Sequence, residues 1–351
     1  MSALGLGRPI LGGTVNFPVC LAPMVGLSHK HLRRLVRSYL PQGARTIWPT
    51  EMLNSRRLPN ENLSTKAETR RDADETDVVP QILGNEEKFI APSVRKLEDW
   101  GAAGIDINMG CPVKKALKHN YGVALMGDAA YAAEVVHMTV KAARTPVSVK
   151  LRAGLQDDQD YLLRFVHGLQ DAGASWITLH PRLAGEKRRG FARWPQIKTV
   201  REAVRIPVIG NGDIQTADDA LEMLEQTGCD MSMVGRAMTA RPWLLWQVGE
   251  TLGFAPPSGR EGPAPRAPEE EGAEHGRALL FLIESFKEEE REALALRQLQ
   301  FFVRTGSVWL EFGNSLYAAV MTAKTLNEAA AAVRKFFEQP QRMTARTFLR
   351  A

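Results

Sequence analysis

Eight short apolar runs recur along roughly the first 250 residues of this chain, at the scale of one strand-plus-helix unit each. They are 18-PVCLAPM, 45-RTIWPTEM, 78-VVPQILG, 104-GIDINMG, 147-VSVKLRAG, 175-SWITLHPR, 207-PVIGNGD and 231-MSMVGRA. Helical patterns separate most of them, among them 86-EEKFIAPSVRKLEDWGAAG, 129-AAYAAEVVHMTVKAAR and 216-TADDALEMLEQTG. The runs are continuously apolar rather than alternating, as expected of strands buried on both faces. Strands alternating with helices imply a parallel sheet. Eight such units match a (β/α)8 TIM barrel in both count and length. A doubly wound open sheet is the alternative, but no GxGxxG follows the first strand and eight units are many for that fold.

The composition changes at 254-FAPPSGREGPAPRAPEEEGAEHG-276, which is rich in proline and glutamate and has little to bury. It reads as a flexible linker between a barrel over 1–253 and a second domain over 277–351. In that second domain apolar residues recur at spacings of three and four (Leu299, Phe302, Val303; Leu316, Val320), so a small helical bundle is expected. Residues 1–254 carry 32 basic and 27 acidic side chains, 255–292 carry 5 and 10, and 293–351 carry 8 and 3. Two basic parts flank an acidic connector, which suits a polyanionic partner or simply a solvated surface. No run of eighteen apolar residues occurs, and the N-terminus lacks the cationic start of a secretory segment. The three cysteines, Cys20, Cys111 and Cys229, are odd in number and widely spaced. A cytoplasmic protein without disulfides or membrane spans is expected. There is no CxxC or HExxH, and no metal site is expected.

A barrel places its chemistry at the C-terminal ends of its strands. Those ends carry Pro23 and Met24, Glu51, Gln81, Asn108 with Cys111, Lys150 with Arg152, His180 with Arg182, Asn211-Gly212-Asp213, and Gly235-Arg236. The last two groups follow strands seven and eight, where barrels often hold a phosphate; tight βα turns would read the same. Lys150 lies inside an apolar strand. It either faces an anion in the barrel mouth or pairs with Asp106 or Glu51 as a structural bridge. His180 and Arg182 share one side of their strand. A lone histidine there is usually a core residue, and the arginine at the strand end favours ligand contact. Cys111 sits in a Gly110–Pro112 loop near Lys114 and Lys115. Cationic neighbours favour a thiolate nucleophile, whereas a thiol that stays protonated could donate a proton. Cys20 and Cys229 read as core.

These segments resemble the flavin-dependent tRNA-dihydrouridine synthases. The matching stretches are LAPMVGLSH (21–29), VVPQILG (78–84), DINMGCPVKKALKHNYGVALMGD (106–128), VSVKLRAG (147–154), ITLHPR (177–182), IPVIGNGDI (206–214) and MVGRA (233–237), in the family's order. The NxGCPxK segment is the most specific of them.

The resemblance implies an FMN-binding barrel followed by a helical tRNA-binding domain. Carried over by position, Pro23, Met24, Val25, Gln81 and Lys150 would contact the flavin ring. Asn211, Gly212, Asp213, Gly235 and Arg236 would take its phosphate side. Asn108, His180 and Arg182 would position a uracil, and Cys111 would be the catalytic acid. NADPH would be the co-substrate and reductant, and a monomer is expected. The tail is most similar to the branch acting on uridine 16, with 20 and 20a as alternatives. The loop LAGEKRRGFARW, with Lys187, Arg188, Arg189 and Arg193, is expected to face RNA or solvent. The competing readings are an FMN barrel oxidoreductase acting on a small molecule, an RNA-binding scaffold without catalysis, and an enzyme acting on rRNA.

Overall fold

The computed structural model describes residues 7–113, 117–187 and 189–348. Lys114, Lys115 and Arg188 therefore lie outside the described residues. The strands are β1 (Val19–Leu21), β2 (Trp48–Asn54), β3 (Val78–Leu83), β4 (Ile105–Met109), β5 (Val147–Gly154), β6 (Trp176–Leu183), β7 (Val208–Asn211) and β8 (Met231–Val234). They form one eight-stranded parallel sheet in the order β1-β8-β7-β6-β5-β4-β3-β2. β1 and β2 lie side by side and nearly close the ring. Thr46 bridges that seam, its hydroxyl donating to the Val19 carbonyl at 2.7 Å.

Two cores explain the continuously apolar strands. Side chains alternate across a strand. One set fills the barrel interior: Cys20, Ile47, Val79, Trp176, Ile209, Met231 and Met233. The other, including Leu21, Ile107, Val149, Leu179 and Val208, packs outward against the surrounding helices. Those helices begin at the capping residues the sequence supplies. Asp128 accepts from Tyr131 N at 3.0 Å and Asp158 from Tyr161 N at 2.8 Å. Thr216 and Asp219 form a reciprocal capping box.

Four helices follow the barrel, at Pro268–Glu289, Glu292–Gly306, Gly313–Thr322 and Leu326–Phe336. The first packs on the barrel helix Lys30–Arg37, where Phe286 meets His31 at a ring separation of 4.7 Å. Reading 254–276 as one flexible linker is corrected here. Residues 268–276 are helical, and Glu271, Gly272, Glu274, His275 and Gly276 are buried. The glutamates that looked solvated are paired. Glu271 accepts from Arg241 Nε, Trp243 Nε1 and Gln247 Nε2 at 3.0–3.1 Å. Glu274 accepts from Tyr39 and from Arg260, the latter at 2.7 Å. Among the described residues, no helix is long and apolar enough to cross a membrane.

His275 makes this junction acid-sensitive. Its Nδ1 donates to the Ala240 carbonyl at 2.9 Å, and burial, aided by Arg241, pushes its pKa down to about 4. The unfolded chain would take up the proton first, near the ordinary histidine value. The stabilisation is thus full above about pH 6.5 and is lost as pH falls from there toward 4. Thermal denaturation of the wild type should lose up to about 3 kcal/mol across that window from this residue, and His275→Gln should flatten the loss.

Candidate active site

The C-terminal ends of the strands open into a cavity of about 560 Å³ joined to a second of about 270 Å³. The strands aim the residues predicted from the sequence into one place. Pro23, Met24, Val25, Gln81, Asn108, Cys111, Lys150, His180 and Arg236 line the larger cavity. Arg182, Asn211, Gly212, Asp213 and Gly235 line the smaller one, which shares Pro23, Met24, Lys150, His180 and Arg236.

The Cys111 loop is held from two sides. Asn108 Oδ1 accepts from the amides of Cys111 (2.9 Å) and Gly110 (3.2 Å), and Val123 N donates to the Cys111 carbonyl at 3.2 Å. Gly122 makes that close approach feasible. Its φ is +57°, and a Cβ there would lie 2.6 Å from the Cys111 oxygen. Arg152 adds a brace, donating from Nε to the Gly110 carbonyl at 2.9 Å and from one terminal nitrogen to Leu183 and Lys187 carbonyls. Burial raises the Cys111 pKa above the ordinary thiol value. The Val113 amide, Arg152 and Lys150 oppose that rise without reversing it. That direction favours the thiol over the thiolate.

Lys150 is inside the mouth, and burial, with Arg152 beside it, lowers its pKa to about 8. Its hydrogen bond runs to Asn211 Oδ1 at 3.0 Å, not to Asp106 or Glu51. Asn211 is itself fixed by donating to the Met233 carbonyl at 2.7 Å. His180 is held neutral, its pKa well below the ordinary value through burial and the cations Lys150, Arg152, Arg182 and Arg236. Arg182 approaches its Nε2 at 3.2 Å, which assigns the ring proton to Nδ1.

Arg182 and Asp213 face each other rather than the open cavity. Arg182 donates to both Asp213 oxygens at 2.6 and 2.9 Å and to the Gly190 carbonyl, while Ala192 N donates to Asp213. The pair ties down the chain at Gly190 and Ala192. Arg193 is bound to Glu186, leaving Lys187 at the cavity edge. Gly212 is walled in: at φ +122°, a Cβ would lie 2.7 Å from Ala192 Cβ and 2.9 Å from His180 Cδ2. Gly212→Ala should destabilise the fold by about 1–3 kcal/mol, read by denaturant titration, and displace His180. Gly235 differs. Its nearest neighbours to a Cβ are at 3.7 and 3.8 Å and its φ is ordinary, so protein packing alone does not demand glycine.

Glu51, marked in the sequence as a strand-end residue, accepts from Gly26 N at 2.6 Å and fixes the loop carrying Met24 and Val25; burial raises its pKa to about 7. Other residues at the mouth were not singled out from the sequence. Phe301, Arg304, Val308 and Phe348 bring the helical region to the cavity mouth. Basic and aromatic residues at its apolar helical spacing were legible, but their facing the mouth depends on how that region docks.

A parallel barrel with a cysteine, a lysine and a histidine gathered at its C-terminal mouth has the architecture of a (β/α)8 enzyme. A solved 2-naphthoyl-CoA reductase, in complex with 2-naphthoyl-CoA, shares the fold: TM-score 0.52 at 11% identity, over 72% of this chain and 53% of that one. The chain belongs to the dihydrouridine synthase family, whose model matches residues 20–298. It is accordingly a flavin-dependent oxidoreductase. A relative named "Probable tRNA-dihydrouridine synthase", from Rickettsia bellii (strain RML369-C), is 38% identical over 249 residues, 70% of this chain and 74% of its own. tRNA-dihydrouridine synthase B of Pseudomonas aeruginosa is 34% identical over 242 residues, 67% of this chain and 72% of its own.

Proposed function

We propose that this chain is a tRNA-dihydrouridine synthase. It would reduce the 5,6-double bond of a D-loop uridine with FMN as cofactor and NADPH as reductant. The observation that carries the reading is that Cys111 and Lys150 line one cavity at the C-terminal mouth of the barrel, together with Gln81, Asn108 and His180.

The donor set fits a flavin mononucleotide. The smaller cavity gathers Lys150, Lys187 and Arg236, and its one carboxylate, Asp213, is already paired with Arg182. A Cβ at Gly235 would meet Met24 and Ala22 only at ordinary contact distance, so protein packing does not by itself call for glycine there. Gly212, Gly235, Arg236 and Asn211 would take the phosphate side. Pro23, Met24, Val25, Gln81 and Lys150 would hold the ring, and Asp213 would act through Arg182. When bound and reduced there, FMN would be the source of the hydride for C6 of the uracil. Cys111 gives its proton to C5 and is left as a thiolate, a charge that Arg152 and Lys150 lie close enough to stabilise. Asn108, His180 and Arg182 would position the base, the last through its contact with His180.

A uridine reaching the barrel mouth must leave its stack. Phe301, Val308 and Phe348 present apolar surface at the rim beside Arg304, which suits unstacked bases and phosphates. The helical part, beginning at Pro268, would be the RNA-binding domain and residues up to 253 the catalytic one. A cytoplasmic monomer modifying uridine 16, with 20 and 20a as alternatives, completes the reading.

The test combines the visible spectrum of the purified protein, identification of its released cofactor, and mass-spectrometric mapping of tRNA after incubation with NADPH. FMN release and one new dihydrouridine in the D-loop are expected. Reduction of a small enone with tRNA unchanged would overturn the proposal in favour of a small-molecule reductase.

A further inference from the structure

Asp106 is a buried carboxylate for which the chemistry above has no use. It lies on β4 between its register partners Gln81 on β3 and Ser148 on β5. Ser148 Oγ donates to its Oδ1 at 2.6 Å, and Gln81 Nε2 donates to its Oδ2 at 2.7 Å. Burial pushes the Asp106 pKa up, but its Oδ2 accepts from Gln81 Nε2, so the nitrogen of the Gln81 amide faces it. Gln81 Oε1 then faces the other way and accepts from Asn108 Nδ2 at 2.7 Å. Asn108 Oδ1 is thereby turned to the backbone amides of Gly110 and Cys111, which can only donate. The two side-chain amides have one self-consistent orientation, and Asp106 fixes it from the far end.

We propose that Asp106 is a positioning residue: through Gln81 and Asn108 it holds the Cys111 loop in place. Were Gln81 to flip, its nitrogen would face Asn108 Nδ2. If Asn108 flipped in turn, its nitrogen would face the Cys111 N–H. Either arrangement leaves two donors opposed in a buried site, at a cost comparable to a lost hydrogen bond or more. What is required of position 106 is an acceptor toward Gln81, not a negative charge. Asparagine can meet that requirement by turning its oxygen to Gln81 and its nitrogen to Ser148, whose hydroxyl can accept. Leucine, of similar volume, cannot.

The test reads the loop directly, as the rate of iodoacetamide alkylation at Cys111 in the full-length folded protein, followed by peptide mass spectrometry. Cys20 and Cys229 are buried and serve as internal controls. Asp106→Leu and Asn108→Leu should each raise the rate about tenfold, and the double variant should be no faster than Asn108→Leu alone, because both changes break the same chain. Asp106→Asn should stay near the wild-type rate, and so should Ser148→Ala, which removes the other partner of Asp106. Circular dichroism melting restricts the comparison to variants that remain folded. If Asp106→Leu destroys the fold, Gln81→Leu interrupts the same chain and takes its place. An unchanged rate in Asp106→Leu, or a rate in the double variant equal to the product of the two singles, would overturn the proposal. So would a rise in Asp106→Asn as large as in Asp106→Leu. This inference rests on the proposed acid role of Cys111 only for its functional consequence. If Cys111 proves dispensable for turnover, the alkylation pattern still decides the positioning.

Discussion

Replacing Cys111 with alanine should slow dihydrouridine formation by about 10²–10⁴-fold, the usual share of a positioned general acid, while flavin binding, and flavin reduction by the proposed reductant NADPH, should stay intact. The separation follows from geometry. Cys111 belongs to the β4 loop and to the larger cavity alone, whereas Asn211, Gly212, Gly235 and Arg182 line the smaller one. Burial favours the protonated thiol, and the nearby Arg152 and Lys150 temper the rise in its pKa so that the proton remains transferable. Cys111→Ser should recover little activity, since a hydroxyl is a far weaker acid than a thiol. Single-turnover mixing of the reduced enzyme with unmodified tRNA checks this, with flavin reoxidation read optically and dihydrouridine read by mass spectrometry. Wild-type turnover in Cys111→Ala would remove the thiol from the reaction.

The barrel and its mouth were legible for physical reasons. Strands buried on both faces must be continuously apolar, and a polar residue that interrupts such a strand toward its C-terminal end is placed to face the mouth or to pair beside it. Lys150 and Gln81 were found in this way. Cys111 was marked by the flanking Gly110 and Pro112, which exclude it from a strand body. What was not legible depended on partners distant in sequence. Glu271 and Glu274 read as solvated because Arg241 and Trp243 bind the first from before the helix, and Tyr39 binds the second across 235 residues. The pairing of Arg182 with Asp213 was hidden likewise. Both residues lie at strand ends, and nothing in their spacing says that they satisfy each other. The approach of Phe301 and Arg304 to the mouth is set by the docking of the helical region on the Lys30–Arg37 helix, which no local pattern encodes.

Lys150→Met should separate function from stability, and the two effects have opposite signs. A buried ammonium is costly to a fold unless something anionic is there to receive it. With an unfolded value near 10.5 and a folded value of about 8, the unfolded chain binds the proton more tightly between those limits. The cost is therefore full below pH 8 and relieved as pH rises from 8 to 10.5. Its upper bound is about 3 kcal/mol, less roughly 1 kcal/mol for the hydrogen bond given to Asn211. At neutral pH and without cofactor, Lys150→Met should be the more stable protein by about 2 kcal/mol. Wild type should gain stability between pH 8 and 10.5, and the variant should not. Turnover should move the other way. It should fall by about 10²-fold in the variant, through loss of a charge that steadies developing negative charge. In the wild type it should decline as pH rises past about 8, where the ammonium is lost. Denaturant titration of the cofactor-free protein and a pH–rate profile measure the two effects. A variant less stable than wild type would make Lys150 a structural residue, and the anion-receiving role of the mouth would fall with that result. A variant that is both more stable and slower would identify Lys150 as a charge held in the mouth at the expense of the fold.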